Sequence, residues 1–180
     1  MRQLDHKADI ERLRLTVAQR FARHGTVLLV ERAPVRAETV EATILREMTT
    51  AVAARALGAL LPASTSGLEV KTAGPLSIYL LDKASEAWTL AVRLKTALLG
   101  EGIPTRSGLA TGELLLFDLE EGGREISGSP VNRASKVAQE CGQFGRIYVA
   151  ELLPGVMDPP LEVVPSLICV ARVEIPLWTA

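Results

Sequence analysis

The sequence predicts a single mixed domain, α/β or α+β, on three observations. Runs rich in leucine and β-branched residues alternate with stretches whose apolar residues recur at helical spacing. Glycine and proline clusters punctuate these segments. A length of 180 residues with 48% hydrophobic content supports one substantial core, so no second globular domain is needed.

Ile10, Leu13, Val17 and Phe21 recur at spacings of three and four, which predicts an amphipathic helix over about Asp9 to Arg23 with a charged opposite face. This segment, residues 1–24, stands apart from the main domain, residues 25–180. It could cap that domain, pack on a second subunit, or be the stub of a signalling helix. Thr26 to Glu31 (TVLLVE) reads as a buried central strand and is followed by the turn ERAPVRAE. Leu45, Met48, Val52, Ala56 and Ala59 then predict a long helix from about Ala37 to Leu61, with PASTSG as the loop after it.

Leu68 to Lys71 and Leu76 to Leu81 read as a hairpin joined at Thr72-Ala73-Gly74-Pro75. Ala87, Leu90, Ala91, Leu94 and Leu98 place a helix from about Lys83 to Leu99, stopped by Gly100-Glu101-Gly102. Thr105 to Phe117 is the longest strand candidate, and the paired glycines between Leu119 and Glu125 suit an exposed hairpin turn. Ser129 as N-cap and Pro130 at the first helical position predict a helix to about Cys141, ended by Gly142 and Gly145. Arg146 to Ala150 is a further strand, and the tail from Leu161 to Trp178 supplies one or two more. Elements in this order predict helices gathered on one face of a mostly antiparallel sheet.

Charge and composition narrow the function classes. Twenty Lys and Arg against 21 Asp and Glu leave a formal net charge of −1, with no bulk attraction to nucleic acid or anionic lipid. Cys141 and Cys169 lie in apolar surroundings and are expected as buried free thiols in a reducing compartment. No His, Cys or acidic cluster has metal-ligand spacing, and His6 and His24 have no partners at triad spacing. The N-terminus has no unbroken apolar run, and no stretch approaches the roughly 18 apolar residues of a membrane span. The expectation is a cytoplasmic protein that binds neither membrane nor nucleic acid.

One connected pattern is more specific. GIPTRSGLATGELLLF from Gly102, EISGSPVNRASKVAQECGQFGRIYVA from Glu125, and GLEVKTAGPLSIYLL from Gly67 together resemble the catalytic domain of the class III adenylate and guanylate cyclases. The resemblance covers roughly residues 25–150 and is strongest in its last third. It implies a ferredoxin-like α/β sandwich, with active sites formed at a head-to-tail dimer interface. It also implies three pairs of working residues: two metal-holding aspartates, a lysine and an acidic residue that read the purine, and an asparagine and arginine one turn apart that position the ribose and α-phosphate.

This chain departs from the pattern at several of these positions. Glu31 stands where the family has its first metal aspartate, and its extra methylene suits Mg²⁺ poorly, since that ion demands near-octahedral geometry at about 2.0–2.1 Å. The second aspartate is replaced by Pro75, which offers no side-chain ligand, so the carboxylate is gone. Two-metal chemistry needs ions roughly 3.5–4 Å apart, so this chain is not expected to assemble the pair by itself. Lys71 and Glu125 match the purine-reading pair, although an interface salt bridge would equally account for them. Asn132 matches the family's asparagine and shares a helix face with Lys136, which replaces the arginine. Lysine keeps the charge but loses the planar fork that grips phosphate in two places.

Arg32 and Arg36 flank the turn where family members wrap the triphosphate, but Pro34 replaces a glycine there and removes an N–H. Arg106 and Glu113 belong to a stretch the family also shows, and a structural role is expected for them. The resemblance therefore implies a degenerate cyclase-like domain, catalytically inactive or nearly so. It would act as a dimeric nucleotide-binding or protein-interaction module for signalling. The alternatives are the non-metal half of a heterodimeric adenylate cyclase and a low-activity homodimeric one. The expected partners are a second copy in head-to-tail arrangement or a cyclase-like subunit, with a purine nucleotide as candidate ligand. Mg²⁺ or Mn²⁺ would enter only with residual cyclase activity.

Overall fold

Five consecutive residues, Thr26 to Val30, are withdrawn from solvent, and the fold is organised around the strand that carries them. The computed structural model describes residues 6–34, 39–59, 68–140, 142–150, 164–170 and 173–179. In chain order the elements are α1 (His6–Phe21), β1 (Ala22–Arg32), α2 (Val40–Ala59), β2 (Leu68–Ala73), β3 (Leu76–Leu81), α3 (Ala84–Gly100), β4 (Thr105–Asp118), β5 (Arg124–Ser127), α4 (Ser129–Gln139), β6 (Ile147–Val149), β7 (Val164–Val170) and β8 (Val173–Thr179). The sheet has eight strands in the order β2-β3-β1-β4-β6-β8-β7, and β5 pairs with β4. Only β4 and β6 run parallel among the described pairs.

β1 lies between β3 and β4, so its backbone groups pair on both sides and its side chains alternate between two cores. Val27 and Leu29 point to the face covered by α4, where they meet Ala134, Val137 and Ala138. Leu28 and Val30 point to the other face and meet Ala87, Leu90, Ala91 and Leu94 of α3. The α+β sandwich is as expected, but the helices do not gather on one face. A central strand apolar at every position needs a cover on each side, and one helix layer cannot supply both.

The five residues predicted to form the inner stripe of α3 are its buried residues. Its three buried leucines, at roughly 1.5–3 kcal/mol each, outweigh the absence of a side-chain cap at Lys83, which costs about 1 kcal/mol. The β2–β3 hairpin also falls where expected, with the turn at Gly74 in a left-handed conformation of φ 55°.

Other elements differ from expectation. β1 begins at Ala22, because Ala22 to Gly25 pair with Leu115 to Gly112 on the far half of β4. Helix α1 is anchored at its end, where the Phe21 and Phe117 rings lie 4.8 Å apart, and its Ile10 and Leu13 stay exposed. The stripe predicted to bury α2 also faces outward: Leu45, Met48 and Val52 are 65%, 62% and 68% exposed. α3 already fills that face of the sheet, and α2 packs against α3. Ala56 and Ala59 fall outside the described side chains. The N-cap of α4 is Gly128, with φ 139°, and not Ser129, which is the first helical residue. A Cβ at Gly128 would sit 3.0 Å from the Leu114 Cα, so the close approach to β4 reserves that position for glycine.

Helix α4 lies unusually near the sheet. A Cβ added to Gly108 would stand 2.0 Å from the Ala134 carbonyl oxygen, a separation that backbone atoms cannot accommodate without moving the helix. Gly108→Ala is therefore expected to lower the unfolding free energy by about 2–3 kcal/mol. The measurement is the urea midpoint at unchanged slope. Gly100→Ala, made where the space is open, should be neutral or slightly stabilising in the same assay.

Candidate functional site

The alternation of β1 carries past its apolar run and distributes the next two charged residues to opposite faces. Glu31 continues the row of Val27 and Leu29 on the α4 side and lies directly opposite Arg106 of β4. Arg32 continues the other row and lies opposite Thr105.

Glu31 and Arg106 form a two-point ion pair. The Arg106 Nε donates to Glu31 Oε2 at 3.0 Å, and its Nη2 donates to Oε1 at 2.9 Å. A third donor, Nη1, reaches the Gly142 carbonyl oxygen at 3.0 Å, and the Phe144 ring lies 4.8 Å from the guanidinium carbon. The side chains are 19% and 13% exposed for Arg106 and Glu31. A fork of parallel N–H donors on a carboxylate is the strongest neutralising geometry available to an arginine.

Arg32 is 2% exposed. Its guanidinium donates to Ser77 Oγ at 3.1 Å and to the Gly74 carbonyl oxygen, and its backbone N–H donates to the Pro75 carbonyl oxygen at 3.0 Å. Arg32 thus staples the β2–β3 hairpin to β1. Its side chain is buried among these hairpin groups and does not project into solvent. Arg36 lies outside the described residues. Pro75 is exposed at the hairpin tip beside the end of β1, so the two positions compared with metal aspartates are neighbours.

Lys71 of β2 and Glu125 of β5 meet at 2.7 Å, each 43–44% exposed. Strands β3, β1 and β4 separate β2 from β5 in the sheet order, yet β2 and β5 touch. The sheet coils enough to join them, and β4 has Gly112 at φ 153° between its two halves. The two residues expected to read a purine are therefore brought together and joined to each other.

On α4, Ala134, Val137 and Ala138 face inward, leaving Asn132 exposed and Lys136 half-buried. No hydrogen bond or ion pair links Asn132 or Lys136 to the Lys71–Glu125 pair among the described residues. Arg133, between them in sequence, turns back and donates to the Thr111 carbonyl oxygen at 2.6 Å. His24 is exposed, and the side chains of His6, Cys141 and Cys169 lie outside the described residues.

The residues at the cyclase metal positions do not fit a two-metal centre. Both Glu31 oxygens accept from Arg106, and Pro75 has no side-chain ligand atom to offer. No group of three or more His, Cys, Asp or Glu side chains could hold an ion among the described residues. The structural role expected for Arg106 fits its ion pair with Glu31, a partner that the sequence alone does not indicate. Its signal was the strand register: once β1 and β4 pair antiparallel with Thr26 opposite Thr111, residue 31 must face residue 106. No described helix is long and apolar enough to cross a membrane.

Comparison with solved structures assigns the fold. The chain is similar to the guanylate cyclase domain of RhGC from Catenaria anguillulae in complex with GTP, with a TM-score of 0.69 at 16% identity over 88% of this chain and 95% of that one. It is similar to an adenylate/guanylate cyclase/hydrolase from Silicibacter pomeroyi, with a TM-score of 0.64 at 21% identity over 88% and 96%. The adenylyl cyclase CyaB from P. aeruginosa gives 0.65 at 13% identity over 88% and 94%. No family model matches the sequence, and no curated protein matches it significantly. The chain has the fold of the adenylate and guanylate cyclase catalytic domain.

Replacing Glu31 and Arg106 by glutamine, singly and together, should reveal a coupling of about 1–3 kcal/mol between them. Urea unfolding of the four proteins in the cycle measures it, and additive effects would show that the pair contributes nothing beyond its separate residues.

Proposed function

We propose that this cyclase-fold domain is degenerate and acts by binding, as a dimer, with cyclase turnover absent or very low. The observation that carries the reading is the change at both metal positions: glutamate, Glu31, stands at the first, and Pro75, with no side-chain ligand, at the second. Without two ions, an attacking ribose hydroxyl has no Lewis acid to ionise it, and a polyphosphate leaving group keeps its charge unneutralised. Lys136 in place of arginine removes the planar fork that would hold the α-phosphate. Candidate roles are therefore those of binding: Lys71 and Glu125 for a purine edge, Asn132 for the ribose and Lys136 for a phosphate charge.

The Lys71–Glu125 pair supports a purine-binding role because it offers a donor and an acceptor at an accessible position. Each directional hydrogen bond would add on the order of 1 kcal/mol. The exposed apolar side chains of α2 support the protein-interaction part of the reading, since large apolar patches on soluble domains mark contact surfaces. A second reading, the non-metal half of a heterodimeric adenylate cyclase, draws on the same three residues, Lys71, Glu125 and Asn132.

Purified protein with Mg²⁺ or Mn²⁺ and ATP or GTP is expected to turn over below roughly 0.1 per second, under the usual enzyme range of about 1–1000 per second. A higher rate, abolished by Asn132→Ala, would reject the proposal. Activity that appears only on mixing with a metal-competent cyclase subunit would favour the heterodimer. Native mass spectrometry of freshly purified protein should give a dimer mass and show any purine nucleotide retained. A monomer at all concentrations removes the dimeric part of the reading.

A further inference from the structure

Among the described residues the buried polar or charged ones are Thr26, Arg32, Ser77, Thr105 and Ser107, and all but Thr26 gather at one end of the sheet. Val30 has Ser77 opposite it on β3 and Ser107 opposite it on β4, while Arg32 faces Thr105. Residues directly opposite one another share a face, so these four side chains stand on the α3 side of the sheet with Leu28 and Val30. Arg32 and Ser77 satisfy one another, the guanidinium donating to Ser77 Oγ at 3.1 Å, and Ser77 Oγ also lies 3.2 Å from Thr72 Oγ1. The two β4 hydroxyls differ. Thr105 Oγ1 and Ser107 Oγ are buried and have no hydrogen-bond partner among the described residues.

The backbone at this end of β4 is already committed. Gly145 N–H donates to the Thr105 carbonyl oxygen at 2.7 Å, and Ser107 N–H donates to the Arg146 carbonyl oxygen at 3.1 Å. The next residue on the same face, Leu109, belongs to the apolar core under α3, and each of the two hydroxyl-bearing residues is only 1% exposed. Neither hydroxyl therefore reaches bulk water. A buried hydroxyl left unpaired forfeits its hydration with nothing in return, and valine or alanine would fill either place without that loss. Buried polar groups in folded proteins are nearly always paired, and where protein atoms do not pair them an internal water does. The spacing suits one. Residues two apart on a strand stand about 6.5–7 Å from each other, and a water about 2.8 Å from each hydroxyl spans about 5.6 Å, a separation that χ1 rotation of the two side chains reaches.

We infer that Thr105 and Ser107 hold an internal water between β4 and α3, a hydration site built into the folded domain. The site lies one strand from Arg32, whose guanidinium holds the β2–β3 hairpin that carries Lys71. This end of the core is thereby kept polar around a charge that an apolar surrounding would penalise.

Oxygen-17 magnetic relaxation dispersion of the solvent, which reads only waters held inside the protein, tests the site on wild type, Thr105→Val, Ser107→Ala and the double variant. The dispersion amplitude of wild type should fall in the double variant by the contribution of a long-lived water. In urea unfolding each single variant should lower the midpoint, and the double variant should lower it by less than the sum, because both hydroxyls serve the same water. A wild type without dispersion overturns the inference, as does an amplitude that the double variant leaves unchanged. A midpoint raised by both single variants also overturns it, since removing dry, unpaired hydroxyls stabilises a core. Should the double variant fail to fold, the amplitudes of the single variants decide by the same criterion.

Discussion

The register of β1 between β3 and β4 is the constraint on which the rest of the structure depends. Side chains on a strand alternate faces, so a shift of one residue would exchange the two cores and move every later residue with them. With Thr26 opposite Leu81 on one side and Thr111 on the other, the leucines and valines of β1 divide between α4 and α3. The same alternation then sends Glu31 to the α4 side and Arg32 to the α3 side. The core and the polar site are thus one decision. Apolar burial fixes the register strongly, because a slip would strand several large side chains at about 1.5–3 kcal/mol each. Electrostatics at the strand end follows from it.

The seating of α4 transmits that constraint to the site. Gly108 on β4 lets the helix backbone approach until the Ala134 carbonyl lies where a side chain would otherwise stand. Gly142, just beyond the helix, makes a similar approach to Ala138 and aims its carbonyl at Arg106. Two missing methyl groups therefore set the position of a charged acceptor set several residues away. Glycine is needed here for closeness of backbone to backbone, and the helix–sheet distance in turn decides whether Arg106 has its third acceptor.

Periodicity made the local elements legible and left the long-range pairings hidden. The inner stripe of α3 and the β2–β3 hairpin could be read directly, since each depends on neighbours within one turn or one tight loop. The α2 stripe misled because an apolar face predicts burial only when a partner surface is still open, and α3 had taken it. The burial of Arg32 was not legible, because sequence shows a charge beside a turn but not which face of the strand receives it. Lys71 and Glu125 are 54 residues apart, and only the likeness to cyclases suggested that they belong together. Glu31 and Arg106 are 75 residues apart, and nothing in spacing or composition pairs them.

The two ion pairs differ in what a ligand could do with them, and burial decides the difference. Lys71 and Glu125 are each more than two-fifths exposed, so water already competes for both groups. Such pairs hold about 0.2–1 kcal/mol, less than a purine edge can return through new hydrogen bonds to both. That pair can open for a ligand at small cost. Glu31 and Arg106 are mostly enclosed, and separating them would leave a poorly solvated carboxylate and guanidinium, a penalty of roughly 3–5 kcal/mol for fully buried pairs and somewhat less here. A nucleotide that exchanged its own phosphates for Glu31 would have to supply that difference, while one that only parted Lys71 from Glu125 would not. Of the two pairs, only the exposed one could open to a ligand at small cost, and the enclosed one stays joined as part of the structure.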